Sequence, residues 1–539
     1  MTIPSTETLE AEQASFDATV RAVKEWWKTP RQQHLTRPWT AETVAALRGS
    51  ETLPVVSSPA ALKLWDMLRE HHKNGTSELT FGVTDPIGLS QMAKYMRTVY
   101  VSGGLSGFSE NNYPGMDHAD YPWDTVPKVV DKLFRAEVWH DQRQRQLRMA
   151  HSLEERKKLE HWDYLMPIVA DGDMGFGSLT VGMKAAKALA ELGAAAIHID
   201  DLALGLKQFT TGQGRTVVST GEYAERVKAI RLQLDVLGAE TLIFARCDTD
   251  HADFITSVAD PRDHAYVLGA TNPDVVARAW TLRQAMEDAV ASGKQTALEA
   301  RAAWIEAAGL KTFDEAVEDA AKAAGLSEDK IAEYKSRAVY GTSLQQRRAA
   351  AKLALGETIG DIVFDWELPR SNLGQYIFRQ TVQTIVERAL VVAPISDLSW
   401  SRMDLPNYHD MKEYHEAVRA ALGPERMFAF AWGGAWPFPE SAGWTEERRK
   451  NASTILARDF GVVWQVQPMY MIQGVNMEIE KSAAMWTAEG MGGYYEKIQT
   501  AAITRKPYSV DGYEKMSWCG GILSDAFFSA VAGEEIAKK

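Results

Sequence analysis

A short apolar run, Pro167-Ile-Val169, leads straight into Ala170-Asp-Gly-Asp-Met-Gly-Phe-Gly177, two acids and three glycines at the end of an expected strand. Asp171 and Asp173 offer hard carboxylate oxygens of the kind a divalent cation such as Mg²⁺ takes, and Gly172, Gly175 and Gly177 admit close backbone approach where a Cβ would intrude. The competing reading is a capped strand-to-helix turn, in which the acids hold only their own backbone. The same pairing of strand and polar end recurs along the chain: Ser102-Gly-Gly104, Asp200-Asp201, and Arg246 with Asp248 each follow a β-rich run.

The elements that must position these groups alternate. Strand-like runs at 98–101, 167–169, 194–199, 241–244 and 426–430 are separated by helix-length segments, the pattern of parallel βα units. Polar residues at successive strand ends are the signature of a (β/α)₈ TIM-type barrel, whose site lies at the C-terminal mouth. A doubly wound open sheet is the alternative, although no Gly-x-Gly-x-x-Gly follows the first strand. Residues 1–78 read as an N-terminal helical region that caps or joins and carries no site, with Trp26, Trp27 and Trp65 as apolar anchors. Residues 79–270 form the first part of the barrel, 271–360 an Ala/Glu/Lys-rich helical insertion, 361–481 the rest of the barrel, and 482–539 a C-terminal helical region.

Composition narrows the class. At 45% hydrophobic and 24% charged, the 539 residues make an ordinary globular chain with room for a large enzyme core. A net charge of −13 without a basic cluster argues against nucleic acid and anionic membrane as partners. Two cysteines, Cys247 and Cys519, imply no disulfide framework and fit the cytoplasm or another reducing compartment. No run reaches the ~20 apolar residues of a membrane span. The acidic start is wrong for a secretion signal, and Ala537-Lys538-Lys539 is not the Ser-Lys-Leu peroxisomal address.

Longer stretches carry a specific resemblance. Phe81-Gly-Val-Thr-Asp-Pro-Ile-Gly-Leu-Ser-Gln-Met-Ala-Lys-Tyr95, Val99-Tyr-Val-Ser-Gly103, Ala119-Asp-Tyr-Pro-Trp-Asp-Thr-Val-Pro127, Gly193-Ala-Ala-Ala-Ile-His-Ile-Asp200 and Asp260-Pro-Arg-Asp-His-Ala-Tyr-Val-Leu-Gly-Ala-Thr-Asn-Pro273 resemble isocitrate lyase of the longer, eukaryotic type. The resemblance covers nearly the whole chain. It implies a homotetrameric barrel of the isocitrate lyase and phosphoenolpyruvate mutase superfamily, acting on a small carboxylic acid held on Mg²⁺, with Mn²⁺ as the alternative ion. Carried over residue by residue, it makes Asp171 the main metal acid with Asp117, Asp173 and Asp200 around it, Asp200 standing where the family has Glu. Ser102, Gly103 and Gly104 match the glyoxylate loop, and Arg246 matches the arginine that holds the carboxylate. A cation plus an arginine is what stabilises the negative charge that develops beside an α-oxo acid.

The second half of the family pattern is replaced. Where the family has Lys-Lys-Cys-Gly-His, with Cys as proton donor, this chain has Lys207-Gln-Phe-Thr-Thr211, placing Phe209 at the Cys and Thr211 at the His. Trp400-Ser-Arg402 stands for Trp-Met-Glu, Ala431-Trp-Gly-Gly-Ala435 for Asn-x-Ser-Pro-Ser, and Pro468-Met469 for Thr-Leu. Phe209, Trp432, Gly433, Gly434, Trp436, Pro468, Met469 and Tyr470 are therefore expected to line an apolar second pocket. Tyr100, Thr210 and Thr211 are the nearest proton-donor candidates, and Arg402 brings a guanidinium towards the metal. Blander readings stand beside these: Trp432 and Trp436 as core, Gly433 and Gly434 as a turn, Arg402 facing solvent, His198 as a satisfied core histidine, His251 as a residue of weak metal-ligand character. The functional readings are a divergent lyase for an α-oxo or α-hydroxy acid other than isocitrate, an inactive homologue kept for assembly or regulation, and a genuine isocitrate or 2-methylisocitrate lyase with another acid.

Overall fold

The computed structural model describes residues 7–207, 214–356, 361–401, 407–433, 438–500 and 521–533. Phe209, Thr210, Thr211, Arg402, Gly434, Ala435, Trp436 and Cys519 lie outside the described residues. Among the described residues eleven strands run β1 (Glu78–Phe81), β2 (Val99–Val101), β3 (Ile168–Asp171), β4 (Ala194–Ile199), β5 (Thr216–Val217), β6 (Leu242–Cys247), β7 (Phe254–Ile255), β8 (Tyr376–Ile377), β9 (Leu398–Ser401), β10 (Phe428–Ala431) and β11 (Val462–Gln467). Eight form one parallel sheet in the order β1-β11-β10-β9-β6-β4-β3-β2. Its ends meet through the parallel bridge of Gly82 with Tyr100 and the Val83 N–H bond to the Tyr100 carbonyl (3.1 Å), so the sheet closes as a (β/α)₈ barrel. β5, β7 and β8 form a separate three-stranded sheet.

Side-chain alternation divides the core in two. Phe428, Phe430, Ile243, Ala245 and Cys247 point into the layer between strands and helices. Tyr100, Val169, Phe244, Leu398, Trp400, Ala429, Ala431, Trp464 and Val466 fill the interior, where period-2 packing stacks rings from neighbouring strands. Trp400 and Trp464 lie 5.7 Å apart and Tyr100 and Trp464 5.7 Å apart, all edge-on. Trp464 Nε1 donates to Thr98 Oγ1 (3.1 Å), so the polar edge of this ring is satisfied inside the barrel.

The N-terminal helices are α1 (Leu9–Trp26), α2 (Ala41–Leu47) and α3 (Ser58–Asn74). They do more than join copies, because Ala61, Leu64, Trp65 and Leu68 of α3 belong to the interior cluster and plug the N-terminal end of the barrel. Between 273 and 355 the chain is helical, with its own small cores around Phe313 and Trp304. Local sequence sets these helix starts: Thr281, Thr296, Thr312 and Ser343 each close a capping box with Gln284, Glu299, Glu315 and Gln346.

One buried carboxylate fastens the N-terminal region to the barrel. Asp397, just before β9, accepts from Arg31 Nη1 (2.6 Å), Arg231 Nη2 (2.6 Å) and the Ile243 N–H (2.7 Å), with His34 Nε2 at 3.0 Å. Burial by itself raises an acid, but Arg31, Arg231 and His34 outweigh it and hold Asp397 well below the usual carboxylate range. A depressed acid contributes stability that is present above its unfolded value of about 4 and lost as pH falls through the lower folded value. Asp397→Asn removes the one negative charge that two buried guanidiniums share, so it should destabilise the fold by about 3 kcal/mol at pH 7. Urea denaturation should show the gap between wild type and variant narrowing as the acid is protonated towards pH 3; a gap independent of pH would contradict this account.

Candidate active site

The strand ends deliver their polar residues to one mouth. Inward alternation extends from Tyr100 to Ser102 on β2, from Val169 to Asp171 on β3, from Ala196 to His198 on β4 and from Phe244 to Arg246 on β6. Strands expected to stop at 169 and 244 in fact continue to Asp171 and Cys247, because each terminal charge finds buried partners on the neighbouring strand.

At this mouth Asp171 is the acceptor shared by the most partners. Its Oδ1 takes the Asp173 N–H (3.0 Å) and faces His198 Nδ1 (3.0 Å), while Oδ2 takes the Tyr100 hydroxyl (3.0 Å) and the Gly103 N–H (2.8 Å). The Asp173 bond makes a tight Asx-type turn, and Asp173 itself sits at φ 44°, a left-handed conformation that an acid tolerates. Two glycines are obligatory here: a Cβ on Gly172 would come within 2.5 Å of Ile199 Cδ1, and one on Gly103 within 2.1 Å of the Tyr121 hydroxyl. Burial raises the Asp171 carboxyl, yet His198, Lys207 and Arg246 reverse this and hold it well below the usual range. Burial and the Asp171 charge together push the Tyr100 phenol well above its ordinary value, so Tyr100 keeps its proton on Oη.

His198 is buried and satisfied as expected, but its partners are the site. Since Nδ1 faces a carboxylate and Nε2 lies 3.3 Å from Arg246 Nη1, the neutral tautomer protonated at Nδ1 satisfies both. Arg246 is further clamped by Asp248, which accepts from Nε (2.7 Å) and Nη2 (2.6 Å), and its guanidinium stands 5.9 Å from the Trp400 ring centre. Three of the five guanidinium N–H groups are thus engaged, and one on each terminal nitrogen is left for an anion. Trp400 and His198 are contributors that sequence reasoning did not select, the inward period along each strand being the signal available, and Asp248, expected only as a strand-end acid beside Arg246, is the group that clamps it.

The remaining acids surround a lysine. Lys207, 5% exposed, places its ammonium on Asp173 Oδ1 and 3.0 Å from Asp200 Oδ2. Burial lowers a lysine, but the carboxylates of Asp173, Asp200 and Asp171 prevail and keep it above the usual lysine range. Among the described residues, Asp173 Oδ2 is buried without a hydrogen-bond partner, and Asp200 Oδ2, although close to the ammonium, receives no directed hydrogen bond. Charge proximity satisfies Coulomb's law without satisfying a lone pair. Among the described residues no three carboxylate, histidine or cysteine side chains form a ready-made metal cage. Even so, two buried carboxylate oxygens lacking directed donors, beside Asp171, are a donor set that fits a hard divalent cation.

The other expected residues divide. Ser102 Oγ accepts from the Leu105 N–H (3.3 Å) and lies 4.0 Å from Met469 Sδ, so the 102 and 469 loops meet. Gly104 follows in the first turn of the helix Gly103–Ser109, and Pro468 presses its carbonyl against Gly82. Asp117 stands on the next loop, where its Oδ1 accepts from the Ala119 N–H (3.0 Å). Trp432 does not wall the mouth: its ring packs against Phe430 (5.1 Å), Phe438 (5.8 Å) and Trp444 (6.5 Å), and Nε1 donates to Gln465 (3.0 Å). The reason is parity, since Trp432 follows the outward Phe430 by two residues; Gly433 comes next, half-buried. Tyr470 stacks on Phe81 (4.2 Å). His251 pairs with Asp250 (3.6 Å). Cys247 points away from the mouth onto the Tyr223 hydroxyl (3.8 Å), and burial, with Asp201 adding, pushes its thiol well above the ordinary range.

Comparison with known proteins accords with this geometry. The family model described as "Isocitrate lyase family" matches residues 19–537. Mitochondrial 2-methylisocitrate lyase of Schizosaccharomyces pombe is 46% identical over 98% of this chain and 99% of its own length. Isocitrate lyase of Pinus taeda is 36% identical over 97% of this chain and 90% of its own, and the mitochondrial 2-methylisocitrate lyase of Hypocrea atroviridis 34% over 97% and 92%. With the model spanning nearly the whole length and the barrel mouth carrying acids, arginine and Ser-Gly loop together, this chain belongs to the isocitrate lyase family, a family of lyases.

Proposed function

We propose that this chain is a carbon–carbon lyase for an α-hydroxy or α-oxo acid whose anionic head sits at the barrel mouth and whose second part is less polar than succinate. The observation that carries the reading is the convergence of Asp171, Asp173 and Asp200 with an Arg246 that keeps two N–H groups for a carboxylate. Asp173 and Asp200 would hold Mg²⁺ (or Mn²⁺) beside Asp171, with Asp117 the family's further acid. When bound, the ion draws negative charge onto the oxygens next to the bond that breaks. The residues of the chain do the rest. Arg246, fixed by Asp248 and His198, takes the carboxylate and orients it; Ser102 and Gly104 close over the head; Tyr100 retains its proton and keeps Asp171 in place. Trp400 excludes water from below. Met469 against Ser102 supports an apolar neighbour for the bound acid.

The 46% identity to a protein named 2-methylisocitrate lyase favours a second substrate reading, 2-methylisocitrate, which keeps the succinate half of isocitrate and differs by a methyl on the half that leaves as pyruvate. The extra methyl of 2-methylisocitrate suits a wall that bears Met469 and Pro468 in place of the family's Thr-Leu. Purified protein with Mg²⁺ should release pyruvate from 2-methylisocitrate faster than glyoxylate from isocitrate because its wall accepts the methyl, and both rates should be lowered by roughly 10²–10⁴-fold relative to lyases with a positioned cysteine acid, since both cleavages leave the same succinate carbanion to be protonated. Rapid glyoxylate release would sink the proposal.

Binding checks the head site independently of turnover. Mg²⁺ with pyruvate, glyoxylate or oxalate should raise the melting temperature, because a ligand confined to the folded state stabilises it. Arg246→Ala should weaken that binding by about 10–100-fold, the equivalent of losing charged hydrogen bonds worth about 1.5–3 kcal/mol, and Asp171→Ala should abolish the shift. Absence of any Mg²⁺-dependent shift would move the reading to an inactive homologue.

A homotetramer belongs to the same proposal. The C-terminal helix Asn476–Tyr494 leaves Ile479 62% and Trp486 52% exposed, a quantity of apolar surface that asks for a partner chain. Trp486→Asp should shift the species seen by light scattering from tetramer towards smaller assemblies.

A further inference from the structure

The ammonium of Lys207 sits between the carboxylates of Asp173 and Asp200, and it is delivered there by the fold. Its loop is pinned on both sides of the barrel's β4 exit: Ala203 N–H bonds to the Thr216 carbonyl (2.8 Å), Thr216 N–H to the Leu206 carbonyl (3.1 Å), and Leu202 bridges Val217. The side chain then has only the acids to face, with Asp173 and Asp200 on either side and Asp171 behind. Arg246 relieves these acids only in part, because Asp248 already holds it in a bidentate pair.

We propose that Lys207 is a built-in counter-ion of the metal site, so that Lys207 and the divalent cation are mutually exclusive occupants of the Asp173 and Asp200 carboxylates. This rests on the reading of those acids as the cation site. A magnesium ion takes carboxylate oxygens at about 2.0–2.1 Å, and an ammonium 3.0 Å from the same Asp200 oxygen would then be driven off by like charge with no solvent between. Without metal, the lysine compensates three buried acids that would otherwise repel one another. With metal, its unbranched four-carbon stem lets the ammonium swing away without moving the strands. The protein thereby stays folded in the absence of metal at the cost of weaker metal binding, and occupancy follows the concentration of the ion.

The test uses the full-length protein stripped with a chelator and titrated with Mn²⁺, read by the loss of the free-ion electron paramagnetic resonance signal. Lys207→Gln should bind Mn²⁺ about tenfold more tightly than wild type, and Lys207→Arg, which keeps the charge, should not. Stripped Lys207→Gln should melt below stripped wild type and gain more from Mn²⁺. In wild type, acylation of Lys207 followed by mass spectrometry should be slow without metal and rise several-fold with Mn²⁺. Equal or weaker Mn²⁺ binding by a folded Lys207→Gln, or acylation unchanged by bound Mn²⁺, overturns the exclusion while leaving the metal site standing. No Mn²⁺ binding by wild type or variant overturns the metal reading and the exclusion with it.

Discussion

The carboxylate of Asp171 is the point on which the mouth of this barrel depends. Through one side chain, β2 (Tyr100), β3 (Asp171 itself), β4 (His198) and the loop after β2 (Gly103) are held in a single arrangement. A buried anion is tolerable only with such compensation, and the compensation is also what orders the site. His198 carries the constraint onward to Arg246, and Arg246 to Asp248, so that three strand ends share one chain of hydrogen bonds. The Asp248 N–H in turn donates to Asp201 (2.8 Å), and Asp201 pairs with Arg388 of the surrounding helix Val382–Val392 (3.0 Å). The network therefore runs from the mouth into the helical shell without a break.

Strand parity decides which residues share in this. Arg246 and Cys247 are adjacent, yet one faces the mouth and the other the helices, and no local rearrangement of a strand exchanges them. The same rule places Trp400 under the site and turns Trp432 into the outer layer beside Phe430 and Trp444. An aromatic floor beneath charged groups lowers the local dielectric, which strengthens each ion pair above it and makes any unpaired charge costly. That is the setting in which Lys207 among three acids is an electrostatic necessity when no metal is bound.

The opposite end of the barrel is organised by a second buried acid. Asp397 gathers Arg31, His34 and Arg231 where α3 plugs the interior, linking residues more than three hundred positions apart. Both ends thus rest on a carboxylate with several donors. Asp397 is enclosed by arginines and has no orphaned acids nearby, so it serves stability, whereas the mouth keeps unsatisfied oxygens on Asp173 and Asp200.

Much was legible from the chain alone, because the signals were local. Alternation of strand and helix, polar groups at strand ends, and the long stretches resembling isocitrate lyase identify the barrel and the family. Asp171, Asp173, Asp200 and Arg246 stand out as a set since each follows an apolar run that must be buried. What sequence could not supply was partnership. Nothing local distinguishes His198, a core histidine in an Ala-Ile strand, from one that bridges an acid and an arginine, and nothing in residues 1–78 announces that Arg31 will meet Asp397 or that α3 will seal the barrel. Lys207 was visible only as the first residue of an altered motif; its seat between Asp173 and Asp200 comes from the pinned loop after β4. These contacts join residues distant in sequence, and their energies depend on burial that exists only once the barrel has closed.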